Sequence, residues 1–334
     1  MNPKEVLNKY FIKSAKFSVV EFGTGATNTT YKVTLQKGDS VTLYVLQHMS
    51  LFFGLSSMED IDAITKRIYS KGINTQSVVP TLEGEQFVSD DKSWWRVLTY
   101  IPGTIFDSIS SGNQAREAGK LVGIVHNGLF DFDYEFKYKL LHYRDTEFFM
   151  NELQSILIKN QGSDKFNRLK GLGEKVLFAY KALPKNSDLP KRIIHGDLKI
   201  SNVVFDQNGE NAVALIDWDT LMRGPVALDL GDALRSWCMS GGEDVNMVKF
   251  DKEVYDKALE GYFSTANFLT KEEKESIPWG VKLITLELSA RFLIDAFNES
   301  YFRLDSSKYK SLFEQNKKRA ENQFKFFEEY QKLF

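Results

Sequence analysis

Ile193-Ile194-His195-Gly196-Asp197-Leu198-Lys199-Ile200-Ser201-Asn202-Val203-Val204-Phe205, followed by Ala214-Leu215-Ile216-Asp217-Trp218-Asp219, is the stretch on which the reading of this chain turns. Two apolar, β-branched runs flank a polar loop, the pattern of short strands that present polar side chains at their ends. Phosphoryl transfer requires a carboxylate to orient an acceptor hydroxyl and take its proton, together with oxygen ligands that hold Mg²⁺ on nucleotide phosphates. Asp197 suits the first task, and Asn202 and Asp217 the second. The five-residue step from Asp197 to Asn202 lets one loop serve both acceptor and metal, while Asp217 arrives from the end of the next strand. Mg²⁺ accepts such sparse oxygen ligation because waters and phosphates complete its shell. Asp and Asn also form ordinary turns. It is the combination of His-x-Asp-x4-Asn with a downstream Asp-x-Asp that favours chemistry over a plain turn.

Working outward, the 334-residue length exceeds what one hydrophobic core usually supports, so two lobes with a cleft between them are expected. With 43% hydrophobic and 26% charged residues the chain has ample material for a packed interior. A formal net charge of −2 provides no electrostatic footprint for nucleic acid, and no Lys/Arg cluster is dense enough to suggest an anionic membrane. A small molecule is the expected partner, with the protein acting as a monomer or dimer. The single cysteine, Cys238, excludes an intramolecular disulfide and sits in the apolar, helix-like run Ala233–Met239, where core packing is its expected role. The first residues contain no continuous apolar segment, and no run reaches the roughly 18 apolar residues that span a bilayer, so a cytoplasmic location is expected.

The first hundred residues read mainly as strands, Phe17–Phe22, Thr29–Leu35, Val41–Met49 and Trp94–Tyr100, interrupted by a helix over Met58–Tyr69 with Ile61, Ile64 and Ile68 at helical spacing. Ile101-Pro102-Gly103 breaks that pattern, and helical periodicity follows in Ala115–His126 and Phe148–Ile158. Beyond the Ile193–Ile216 island come Lys252–Phe263, Lys282–Asn298 and a terminal Lys308–Tyr330 helix. The expectation is an α+β chain with a sheet-based lobe over residues 1–101 and a mostly helical lobe over 102–334. In the first lobe, Phe22-Gly23-Thr24-Gly25-Ala26-Thr27-Asn28 lies between two strands. Its glycines would let backbone N–H groups approach phosphate oxygens, although a hairpin uses the same residues.

His-Gly-Asp-x4-Asn with a following Ile-Asp-x-Asp resembles the phosphotransferase family that includes aminoglycoside, choline and N-acetylhexosamine kinases. The resemblance implies a protein-kinase-like fold using ATP and Mg²⁺, with Asp197 as base, Asn202 and Asp217 as metal ligands and Asp219 as an auxiliary site residue. Lys199 would reach the transferring phosphoryl group, or lie solvated on the surface, and His195 would brace the loop. Gly23, Thr24, Gly25 and Asn28 would cover the phosphates, and backbone groups of Thr99, Tyr100 and Ile101 would meet the adenine edge. The family's third strand presents a lysine to the phosphates, whereas Leu43–Met49 offers Gln47 or His48 there. Glu59, in the predicted helix, would be that lysine's carboxylate partner or simply an exposed glutamate.

Leu221–Arg235, Arg144-Asp145-Thr146, Leu286–Asp295 and Tyr301-Phe302 are similar to the N-acetylhexosamine 1-kinase branch, which implies a sugar acceptor phosphorylated on its anomeric hydroxyl and contacted by Asp232, Arg235, Arg291 and Tyr301. A helical charge ladder through Asp229, Asp232 and Arg235 explains those three equally well. Arg291 and Tyr301 also suit packing at a helix end, and Trp218 and Trp237 suit the core. That branch carries a histidine where this chain has Ala26. Two other readings stand beside the sugar kinase. One is an aminoglycoside or amino-alcohol kinase, hinted at by Glu243-Asp244. The other is a non-catalytic pseudokinase, suggested by the absent strand lysine and opposed by the intact Asp197, Asn202 and Asp217 set.

Overall fold

The computed structural model describes residues 1–11, 16–23, 28–50, 54–90, 93–186 and 188–334. A capped helix α1 (Pro3–Tyr10) precedes an antiparallel sheet in the order β1 (Lys16–Glu21), β2 (Thr29–Lys37), β3 (Ser40–Met49), β6 (Trp94–Thr99) and β4 (Val78–Val79), with β5 (Val88–Ser89) also paired to β6. Helix α2 (Ser57–Ser70) buries Met58, Ile61, Ile64 and Ile68, the face that its apolar spacing marked. Asp60, not Glu59, is its buried acid, accepting hydrogen bonds from the Tyr134 hydroxyl and from the Lys137 and Tyr138 backbone; Glu59 faces solvent.

After β7 (Thr104–Ile105) the chain is mainly helical: α3 (Gly112–Leu129), α4 (Thr146–Lys159) and α5 (Asp164–Ala182). Then come the short strands β8 (Arg192–Ile194), β9 (Val203–Phe205), β10 (Ala212–Leu215) and β11 (Met222–Gly224). Helices α6 (Val226–Trp237), α7 (Lys252–Phe263), α8 (Lys271–Glu275), α9 (Ile277–Asn298) and α10 (Leu312–Gln331) complete the fold. The small strands pair as β10-β9-β7 and β11-β8, so the motif-bearing loops emerge from two adjacent miniature sheets. This is a protein-kinase-like α+β fold, as expected. No helix among the described residues is long and apolar enough to cross a membrane.

Several boundaries differ from the sequence reading. The last helix starts at Leu312 instead of Lys308, because the Ser311 side chain accepts from the Glu314 N–H and fixes the N-cap there. Helix α9 begins at Ile277, five residues early, with Pro278 in its first turn where a missing N–H costs nothing. Helices α1 and α5 were not anticipated. Cys238, Trp218 and Trp237 are buried in the core as expected.

Helices α3 and α7 pack at glycine: a β-carbon on Gly119 would strike the Ala258 carbonyl, and one on Gly261 the Arg116 carbonyl. The loop after β8 is held to α6 by Asp229, which is fully buried and accepts from the His195 N–H at 2.7 Å, the Gly196 N–H at 2.6 Å and His126 Nε2 at 3.0 Å. His126 Nδ1 then accepts from the Tyr262 hydroxyl. Burial works against the charge on Asp229, but the His126 hydrogen bond and the neighbouring imidazoles more than offset it, so its carboxyl titrates below the usual range.

Three substitutions test this packing. Gly261→Ala should lower the unfolding free energy measured by denaturant titration by about 1–3 kcal/mol, since backbone cannot yield cheaply to the added methyl. Gly171→Ala, on an exposed turn of α5 with open space around it, should raise it by up to about 1 kcal/mol. Asp229 is ionised in the folded state below the pH at which it would protonate unfolded, so its contribution is complete above that pH and lost on acidification. Asp229→Asn should cost about 3 kcal/mol at neutral pH, a gap that narrows as pH falls below about 4 in thermal melts.

Candidate active site

Gly196 opens the catalytic loop with φ of 85°, and a β-carbon there would strike the Thr220 carbonyl, so glycine is required. The loop's other backbone groups are also held by side chains. Arg144 Nε and Nη2 donate to the Gly196 carbonyl at 3.0 and 2.5 Å, Thr220 Oγ1 donates to the His195 carbonyl, and Trp237 Nε1 to the Leu198 carbonyl at 2.8 Å. His195 Nε2 donates to the Ile216 carbonyl at 3.0 Å, which leaves Nδ1 to accept from the Asp197 N–H. Burial lowers the His195 pKa, so the ring is a neutral brace between the two motif loops.

Asn202 Nδ2 donates to the backbone carbonyl of Asp197 at 2.8 Å and to its carboxylate at 3.2 Å, leaving Asn202 Oδ1 as the atom free to face a cation. Lys199 Nζ lies 3.1 Å from Asp197 Oδ2. Burial alone would raise the Asp197 pKa, but Lys199 and Arg144 outweigh it and the carboxyl stays ionised below its usual range. The same partnership raises the Lys199 pKa. The Ile216 N–H donates to the Asn202 carbonyl at 3.0 Å, and the next residue, Asp217, turns back in the left-handed region with φ of 68°. Burial and the neighbouring Asp219 push the Asp217 carboxyl up to about 7. Asp197, Asn202 and Asp217 thus come together at one place, with Lys199 in the field of both carboxylates.

On the sheet side of this cluster, a cavity of about 360 Å³ is lined by Phe22, Val45, Tyr100, Ile101, Val204 and Ile216. Its floor continues into the Asp217 loop through Ile216. Tyr100 and Ile101 face it, whereas the Thr99 N–H is engaged with the Ser77 carbonyl and the Thr99 carbonyl accepts from Gln76. Gly23 has φ of 88°; Thr24 and Gly25 lie outside the described residues. Asn28 Oδ1 accepts from the Ser50 N–H, tying the start of β2 to the end of β3. Gln47 occupies the strand position considered for a lysine, and beside it on β6 stands Arg96, which the sequence reading did not single out. Arg96 Nε donates to Gln47 Oε1 at 2.8 Å, and its two terminal nitrogens grip both oxygens of Asp219 at 2.5 and 2.8 Å.

On the helical side, Arg144 pairs with Asp232 at 3.0 Å and approaches Glu287 to 3.9 Å, while Arg235 reaches Asp232 at 3.2 Å and Glu243 at 3.3 Å. Half of the expected ladder on α6 is therefore real, but Asp229 belongs to the loop anchor. Glu287 Oε1 and Arg235 Nε are buried without a hydrogen-bond partner. Arg291 donates to the Tyr301 hydroxyl at 3.1 Å and lies over the Phe149 ring. The Tyr143 hydroxyl donates to the Gly196 carbonyl at 2.9 Å, and burial raises its pKa, so it stays protonated. Lys199, Arg235, Glu243, Asp244, Arg319 and Asp107 surround a cavity of about 280 Å³ that opens beside the Asp197–Lys199 pair. Asp107 and Arg319 were not among the residues expected here. Arg319 holds Asp244 through two contacts of 2.7 and 2.8 Å.

Comparison with known proteins agrees with this geometry. Residues 18–262 match the model of the APH phosphotransferase enzyme family. A homoserine kinase of Methylocella silvestris is 30% identical over 111 residues, a match spanning 33% of this chain and 32% of that one. Among solved structures, an aminoglycoside phosphotransferase from Alicyclobacillus acidocaldarius superposes with a TM-score of 0.65 at 14% identity, covering 100% of this chain and 96% of that one. The amicoumacin kinase hAmiN, solved with AMP-PNP, Ca²⁺ and amicoumacin, gives 0.62 at 15% identity, covering 95% and 92%. With the family model covering most of its length and a kinase fold carrying the motif loops, the chain belongs to the APH phosphotransferase enzyme family and is a small-molecule kinase.

Proposed function

We propose that this enzyme transfers the terminal phosphoryl group of ATP to the anomeric hydroxyl of an N-acetylhexosamine or a related monosaccharide, forming a sugar 1-phosphate. The observation that carries the acceptor reading is the charge balance of the cavity beside Asp197. Among the described residues that line it, Lys199, Arg235 and Arg319 are matched by Asp107, Glu243 and Asp244, and none is aromatic. A polycationic aminoglycoside calls for net negative charge, and a quaternary ammonium for aromatic faces. A neutral polyol is served by fixed, already paired donors and acceptors, and Arg235, which lines the cavity, has in its Nε a donor without a partner that a hydroxyl would satisfy.

In this reading Asp197 Oδ accepts the proton of the attacking hydroxyl, and its depressed pKa keeps it available as a base at neutral pH. Lys199, already on Asp197, offsets negative charge on the phosphoryl group in transfer. Asn202 Oδ1 and Asp217 suit a divalent cation by donor type, an amide oxygen beside a carboxylate whose pKa is raised by burial and by the neighbouring Asp219 even with Lys199 and Arg96 nearby. Two protein oxygens suffice for Mg²⁺, whose chemistry when bound is to neutralise the nucleotide phosphates. The Tyr100–Ile101 edge and the apolar cavity around it suit a purine base. Residues 1–101 would then act as the nucleotide lobe, and 102–334 as the acceptor lobe.

A zwitterionic amino-acid alcohol is the second reading, favoured by the homoserine kinase similarity and by the same paired charges. The two separate in one assay. ADP release should be stimulated by N-acetylglucosamine or N-acetylgalactosamine with a phosphorus NMR signal for a sugar 1-phosphate. Turnover with homoserine or aminopropanol alone would replace the sugar reading. Asp197→Asn should lower kcat about 10²- to 10⁴-fold while leaving nucleotide affinity within a few-fold, as measured by steady-state kinetics and calorimetry.

A further inference from the structure

The strand lysine expected on β3 is Gln47, yet the same row of the sheet carries a cation one strand over. Thr30 on β2, Gln47 on β3 and Arg96 on β6 are successive partners across the sheet. Gln47 Nε2 donates to Thr30 Oγ1 at 3.3 Å, Gln47 Oε1 accepts from Arg96 Nε at 2.8 Å, and the Arg96 fork closes on both oxygens of Asp219. The pair is almost wholly excluded from solvent, with the two side chains 2% and 3% exposed. The third wall is Met58 on α2, whose sulfur lies 3.7 Å from Arg96 Nη1. The α2 side chain that meets Arg96 is thus an apolar one, and the carboxylate facing this cation comes from the motif loop.

We infer that Arg96 is a positioning residue for phosphoryl transfer: by clamping Asp219 in both directions it fixes the turn in which Asp217, two residues earlier, faces the metal–nucleotide. Three features carry this. The clamp is bidentate, so it sets the orientation of the Asp219 carboxylate as well as its place. It joins the sheet to the loop that leaves β10, and that loop begins with a non-glycine residue at φ of 68°, a backbone state that surrounding contacts must sustain. A buried ion pair is weak support for stability alone, because two apolar side chains of similar volume often serve as well. Its role is therefore sought in geometry. The inference rests on the family reading of Asp217 as a metal ligand.

The test compares wild type with Arg96→Met, Arg96→Lys and the double variant Arg96→Met/Asp219→Leu. Affinity for AMP-PNP is measured by calorimetry with and without Mg²⁺, and folding by thermal denaturation. Arg96→Met leaves Asp219 buried and unpaired and should melt well below wild type. The double variant removes both charges and should melt near or above wild type. It should nonetheless lose at least tenfold of the Mg²⁺-dependent gain in AMP-PNP affinity, with metal-free affinity changed less than about twofold, and Arg96→Lys should recover part of that gain. A double variant that keeps the full Mg²⁺-dependent gain overturns the inference while leaving the kinase reading intact. Loss of metal-free affinity instead would make Arg96 a direct phosphate ligand and also overturn it. Wild type showing no Mg²⁺-dependent gain would sink the metal role of Asp217 and the inference together.

Discussion

One carboxylate organises the active site from behind. Asp229 projects from α6 into the buried interior and takes up two consecutive peptide N–H groups of the motif loop together with an imidazole. Backbone donors in such a place need partners, and a charged acceptor serving two at once imposes one path on the chain between His195 and Gly196. The glycine at 196 turns where no side chain fits, and Arg144 and Tyr143 meet its carbonyl from the opposite side. Asp197 is then delivered to its position by a backbone that has no freedom left. The loop's shape thus depends on Asp229, Arg144 and Tyr143, side chains drawn from outside the motif itself.

This arrangement explains which parts of the molecule could be read in the sequence. The motif residues are close in sequence as well as in space, so the convergence of Asp197, Asn202 and Asp217 on neighbouring loops could be expected from their spacing. Strands β2, β3 and β6, rich in β-branched and aromatic residues, and helix α2, with isoleucines at helical spacing, were also visible, as was α7. The short α1 carried a signal that went unread: Asn2-Pro3-Lys4-Glu5 forms a capping box with proline in the first turn. Helix α5 is different, since Gly171 and Gly173 dilute its pattern and only Leu169, Gly173 and Val176 are buried along it. Its amphipathic character is too slight for a periodicity argument.

The residues that escaped are those whose roles exist only across long separations. Arg96 meets Asp219 across 123 positions, and His126 meets Asp229 across 103. A lone arginine in a β-strand offers no spacing to read, and the charge ladder assigned to α6 was a fair local explanation for a residue whose partners lie elsewhere. The missing strand lysine was the one hint. It pointed to a gap in the pattern without saying which neighbouring strand filled it.

Cys238 closes α6 at the far end of the helix that carries Asp229, and it is buried among the apolar residues of the main core, where burial raises its thiol pKa well above the ordinary value. The thiolate is the reactive form, so the folded protein presents almost none of it to oxidants or alkylating reagents. The only sulfhydryl in the chain becomes available when the core opens, and its chemistry is therefore tied to the same packing that keeps the catalytic loop in place.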